Sequence, residues 1–178
     1  ALVLVLMMVL SCSAMAADQL GFLPPAMTSP FYAACIEGAT PVAEALGYEL
    51  VIMAPEAEDD YATQTSMMED MITQGVKGIA VCGINLDALI PAIKKANEAG
   101  VPVVMFNTIT EIEGAEVYAY SGYNQYNGGA KIADWVNEQT GGNAVAAIIE
   151  GLPSDYTTQR MGGFVDKCAE AYPGITVV

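Results

Sequence analysis

Histidine is absent from this chain of 178 residues, and positive charge is scarce: six lysines and arginines stand against 21 aspartates and glutamates, a formal charge of −15. Without an imidazole, no serine or cysteine here has the usual base to activate it as a nucleophile. Zinc loses its commonest ligand as well, and Cys12, Cys35, Cys82 and Cys168 follow no zinc spacing. So few cations cannot neutralise a run of phosphates, which rules against a nucleic-acid partner. Phosphate-cradling loops are missing too. The first predicted strand turns through Leu23-Pro24-Pro25 instead of a Gly-x-Gly-x-x-Gly sequence, and no Walker sequence occurs. Glu37, Glu69 and Glu150 could act as acid or base in principle, but nothing in the sequence pairs them. These absences point to a protein that binds rather than converts, with no cofactor and no metal. An exported enzyme with an unrelated site is the alternative from another class.

What is present is an alternation of apolar runs and helical patterns, clearest between Gly75 and Thr108. Val76 to Cys82 reads as a short strand, and Leu86, Leu89, Ile90, Ile93 and Ala96 then recur at helical spacing. Asn85 can cap that helix, Gly100 can end it, and Val101 to Phe106 forms a second strand. Both strands are apolar on both faces, as parallel strands covered by helices should be. A right-handed crossover brings Cys82-Gly83 and Asn107-Thr108 to one sheet edge. That edge borders the crevice where open α/β sheets bind ligands.

The flanking chain repeats the theme. Gln19 to Pro24 is a predicted strand, followed by a helix from Phe31 to Leu46 with Ser29 as cap and Pro30 in its first turn. A strand from Tyr48 to Ala54 precedes a helix over Tyr61–Gln74, whose Met67, Met68, Met71 and Ile72 face the sheet as core filler. Glu56 to Asp60 complements that helix's dipole, with a metal cluster as the alternative. Further on, strands are predicted over Val117–Ser121, Ala144–Ile149 and Ile175–Val178. Helices fall over Gln125–Gln139, burying Ile132, Trp135 and Val136, and over Tyr156–Ala171. The fold class is therefore α/β, a doubly wound parallel sheet. Residues 1–16 read as a signal peptide with an Ala14-Met15-Ala16 cleavage signature; a lipid anchor at Cys12 is the competing reading. Cys35, Cys82 and Cys168 are taken as small buried apolar residues, with a disulfide as the alternative.

Six segments occur in order: Thr28-Ser29-Pro30-Phe31-Tyr32, Ala45-Leu46-Gly47-Tyr48, Gly75-Val76-Lys77-Gly78-Ile79, Ala99-Gly100-Val101-Pro102-Val103-Val104, Gly128-Gly129-Ala130, and Arg160-x-x-Gly163-Phe164. Together they resemble the sugar-binding periplasmic proteins of ABC importers, the ribose-binding type that shares its fold with lac-repressor-like regulators. The export signal, and the lack of a helix-turn-helix ahead of the first strand, fit the solute-binding branch. The resemblance implies two lobes closing on a ligand about a hinge near Ser121 to Asn124. The first lobe would be residues 17–122, nearly complete, and the second would begin at residue 123 and be truncated. It also implies capture of a monosaccharide or related polyol and delivery to an ABC permease, in the periplasm, with a chemoreceptor as a further partner. Membrane contact would come only through the permease or a lipid anchor at Cys12. A same-fold binder of an autoinducer, nucleoside or sugar acid is the alternative.

Carried over residue by residue, the resemblance implies ligand contacts from Ser29, Phe31 and Tyr32, where a hydrophobic helix start is the other reading. Asn107 and Thr108 stand where ribose binders carry Asp-Arg, and Cys82 stands where a polar residue is common. Tyr123 occupies a position often held by Asp, and Asn124 is a helix cap or a hinge residue. Arg160, the only arginine in the chain, is the expected clamp. Its alternative role is to pair with Asp155 or Glu150.

Overall fold

Helix starts in this chain are set by side chains that replace the missing intrahelical acceptor. In the computed structural model, which describes residues 17–178, Asp60 accepts from the Thr63 amide at 3.0 Å and opens α2, Tyr61–Gln74. Asn85 accepts from Ala88 N and opens α3, Leu86–Glu98, and Asn124 does the same for α4, Gln125–Thr140. A reciprocal Ser154–Thr157 capping box opens α5, Asp155–Ala171. The exception is α1, Pro30–Ala45: Ser29 sits at its cap position, but its hydroxyl makes no cap bond. The expected signal peptide and Cys12 lie outside the described residues.

Five parallel strands form the main sheet in the order β2-β1-β3-β4-β5, with β1 at Asp18–Leu23, β2 at Tyr48–Ile52, β3 at Ile79–Val81, β4 at Val103–Phe106 and β5 at Ala119–Ser121. The chain steps outward from β1 to β2 and then runs the other way through β3, β4 and β5. Right-handed crossovers therefore place α1 on one face and α2 with α3 on the other. The expected doubly wound parallel sheet is what forms. Val81, Val103, Met105, Leu89 and Ile93 fill the core with Met68 and Met71, which act as packing, and Met67 and Ile72 pack beside them.

A second parallel sheet holds only β6, Ala144–Ala146, and β7, Ile175–Val177. The apolar run after Ala146 was expected to continue the strand to Ile149. It stops because only three residues find ladder partners on β7, and Ile149 stands almost fully exposed. The expected burial in α4 is also corrected. Trp135 is 59% exposed and Ile132 56% exposed, whereas Val136 packs half-buried beside Ala133 and Phe164 as expected, and Gln125, Gly129 and Ala133 are buried. Gln125, Gly129 and Ala133 recur every fourth residue, so α4 turns its small-residue stripe towards α5 and Ile132 and Trp135 away. Among the described residues, no helix is long and apolar enough to cross a membrane.

Candidate functional site

The strand order reverses between β1 and β3, and a crevice opens there past the carboxyl ends of the strands. A cavity of about 390 Å³ occupies it. Every lining residue follows a strand: Ser29, Phe31 and Tyr32 after β1, Glu58 after β2, Ile84 after β3, Asn107 after β4, Tyr123 after β5, and Tyr156, Thr157 and Arg160 after β6. Residues from the two sheets thus meet across one opening.

Five of the six expected site residues line this cavity, and each arrives for a local reason. Ser29 keeps its hydroxyl free because α1 goes without a side-chain cap. Phe31 is half exposed and meets Tyr32 edge to face, with ring centroids 5.2 Å apart. Asn107 is the one described non-glycine residue with positive φ, 63°. Its amide donates to Ser121 O at 2.8 Å, which holds the turn off β4. Gly122 passes so close that a Cβ there would collide with the Thr108 backbone. Thr108 is the sixth, and it is not among the lining residues. It is fully buried outside the cavity, and its hydroxyl accepts from Thr110 N at 3.0 Å, closing the turn after Asn107.

Cys82 lies beneath the cavity floor as the centre of a polar cluster. Its thiol donates to Tyr156 Oη at 3.7 Å, Tyr32 Oη lies 3.8 Å from the sulfur, and Asn107 Nδ2 donates to the sulfur at 3.8 Å. Both tyrosines direct their hydroxyls to the thiol. Gln64, also buried, donates to Cys82 O and accepts from Ile84 N, both at 2.9 Å, so the turn after β3 is pinned. The three cysteines among the described residues are free, with Cys82 and Cys168 buried and Cys35 partly so. No group of three metal-binding side chains occurs among the described residues, and Asp60 is a helix cap.

Burial raises the Cys82 thiol above its usual pKa, although the bonds to Tyr156, Tyr32 and Asn107 pull the other way. Burial first, and the neighbouring thiol second, raise Tyr32 and Tyr156 well above the ordinary phenol value. All three groups are neutral in the folded chain and ionise more readily when unfolded. Their stabilisation is complete below about pH 8.5, the ordinary thiol value, and is lost as pH rises. The urea midpoint should therefore fall as pH rises from about 8.5 to about 10.5, with a slope of up to roughly 1.4 kcal/mol per pH unit for each ionising group. A midpoint that stays constant over that range would show that the cluster is open to water.

Arg160 reaches the cavity from the second turn of α5. Its Nε donates to Gln125 Oε1 at 2.6 Å, and no carboxylate among the described residues lies within 4.0 Å of it. Asp155 instead accepts from Leu86 N at 3.2 Å, across to the start of α3, so the alternative pairing with Asp155 is not formed. Gln125 is the residue that sequence reasoning missed. It is fully buried, and its Nε2 donates to Asn107 O at 2.5 Å. Its signal was weak: a glutamine opening a helix behind the Asn124 cap looks like any polar first-turn residue. Tyr156 was likewise read only as a helix start.

Known proteins resemble this chain in sequence and in fold. The ribose import binding protein of Bacillus subtilis is 29% identical over 144 residues, 81% of this chain and 46% of that protein. Its Escherichia coli counterpart is 25% identical over 160 residues, 89% and 53% of the two chains. A periplasmic solute-binding protein from Actinobacillus succinogenes, solved with bound D-allose, superposes with a TM-score of 0.80 at 30% identity, covering 90% of this chain and 58% of that one. This chain thus spans about half the length of the curated relatives it matches. The periplasmic binding protein domain profile matches residues 20–178, and the chain belongs to that family.

Proposed function

We propose that this chain captures a monosaccharide or related polyol in the cavity and that the protein delivers it to an ABC importer. The observation that carries the reading is the mixture of groups at the strand ends. Phe31 supplies a ring for a sugar's C–H face, and Ser29 and Asn107 supply uncharged hydrogen-bonding groups. Arg160 adds a guanidinium with no carboxylate partner. Relatives named for ribose and D-allose support the ligand class. In this proposal residues 17–122 form the first lobe, residue 123 begins the second, and closure pivots near Ser121 to Asn124. Residues 1–16 act as the export signal, the protein works in the periplasm, and a permease and a chemoreceptor are its partners. The ligand leaves unchanged. A sugar acid is the second reading, favoured by the same unpaired guanidinium.

Thermal unfolding of the protein at the length of its relatives tests this against D-ribose, D-allose, D-arabinose, D-galacturonate and inosine. A ligand at a hundredfold excess over its Kd stabilises by about 2.7 kcal/mol. For a protein of this size that is a rise of roughly 5–10 °C. A rise with a neutral sugar supports the first reading, and a rise with galacturonate alone supports the second. A rise with inosine alone, or with none of the five, overturns both.

A further inference from the structure

We infer that Gln125 is a positioning residue, holding the Arg160 guanidinium in register with Asn107 across the two sheets. The inference rests on the cavity being the ligand site. Its starting point is a buried amide with both ends engaged: Nε2 donates to Asn107 O, and Oε1 accepts from Arg160 Nε. Only one orientation of the amide satisfies this pair. Turned over, its NH₂ would face an N–H and its oxygen would face a carbonyl. Asparagine is one methylene too short to span both partners, and glutamate has no donor for the carbonyl. The position therefore requires glutamine.

The placement gives the bond its meaning. Asn107 ends β4 in the first sheet, and Arg160 rides on α5 beside the second. Gln125 opens α4 directly after the crossing at Ser121 to Asn124, where the chain leaves the first sheet for the second. A residue so close to the pivot moves little when the sheets reorient. It can therefore keep the two ligand-facing side chains at a set spacing while the cavity opens and closes. That spacing decides which pair of ligand hydroxyls, or which carboxylate, the two side chains can reach together. Using Nε for Gln125 also leaves the guanidinium's terminal nitrogens, which carry four of its five N–H donors, for the ligand.

Because Arg160 is the only arginine in this chain, its Nε–H gives a single, self-assigned signal in a proton–nitrogen spectrum. In the unaltered chain that proton should exchange at least about tenfold more slowly than in a free arginine, as a hydrogen bond closed more than nine-tenths of the time requires. Gln125→Met keeps the length and removes both bonds, so exchange should return to the free rate. Gln125→Glu keeps an acceptor for Nε, so protection should persist. Fast exchange in the unaltered chain, slow exchange in the methionine variant, or lost protection in the glutamate variant would each overturn the inference. The first and third measurements stand even if the methionine variant does not fold.

Binding supplies the functional arm, measured with D-allose on the protein at the length of its relatives. Gln125→Met should weaken binding about tenfold, and the same change in an Arg160→Met background should add less than about twofold. Two losses that multiply in full would assign Gln125 to packing and overturn its action through Arg160. If D-allose and the other sugars do not bind the unaltered protein, the proposed ligand class fails, and the exchange measurements still decide the role of Gln125.

Discussion

Replacing Arg160 with methionine should weaken ligand binding about ten- to a hundredfold. The side chain lines the cavity, its Nε is engaged by Gln125, and no carboxylate among the described residues neutralises it. Hydrogen bonds from a charged donor contribute roughly 1.5–3 kcal/mol, and about 1.4 kcal/mol is a tenfold change in Kd. Methionine retains much of the apolar stem that packs along α5, so the loss falls on the guanidinium rather than on the fold. Calorimetric titration of the folded variant at the length of its relatives, with whichever sugar stabilises the unaltered protein, makes the measurement. A Kd within about threefold of the unaltered value would return Arg160 to a structural role.

The elements were legible because their signals are local. Apolar runs broken by Gly47, Gly75 and Gly100, each with positive φ in the structure, together with helical spacing and the cap at Asn85, placed all five helices to within a residue at their starts. Strand lengths were less legible, since a strand ends where its partner ends. The run from Val76 has residues to spare, yet β3 pairs only over Ile79–Val81.

The site divides along the same line. Ser29, Phe31, Tyr32, Asn107 and Arg160 follow strands in the chain, and the family resemblance, carried over position by position, is what singled them out. What they touch could not. Thr108 looked like a second polar group beside Asn107, but the turn rotates it inward to bond Thr110 N. Cys82 looked like a gap in a polar site. It is the shared partner of two tyrosines and an asparagine drawn from three separate segments of the chain. Gln125 joins residues 18 and 35 positions away, a relation that no local spacing encodes. Trp135 failed for a different reason. Hydrophobic periodicity weights large side chains, whereas α4 buries its glycine and alanine stripe.

That stripe leads to the second large expected effect, a loss of stability in Gly129→Ala. Helices α4 and α5 pack so closely that a Cβ on Gly129 would overlap the Arg160 carbonyl, and one on Gly163 would overlap the Tyr126 carbonyl. Both obstacles are backbone, so neither can rotate aside, and the helices must separate instead. Two opposing terms set the sign. Alanine is favoured over glycine within a helix by about 1 kcal/mol. Overpacking a tight contact costs about 1–3 kcal/mol and more where backbone must move. Here the second term wins, for a net loss of about 2 kcal/mol and a fall in Tm of roughly 4–8 °C. Separation would also draw Arg160 away from Gln125, which opens α4 one turn before Gly129. Gly162→Ala is the internal control. Its Cβ would meet only the Tyr126 ring at 3.8 Å, an ordinary contact, so helix propensity should act alone and leave Tm unchanged or raised. Thermal unfolding of the three alanine variants beside the unaltered chain separates the cases. If Gly129→Ala and Gly163→Ala melt with or above Gly162→Ala, the close crossing is not what holds Arg160 at the cavity.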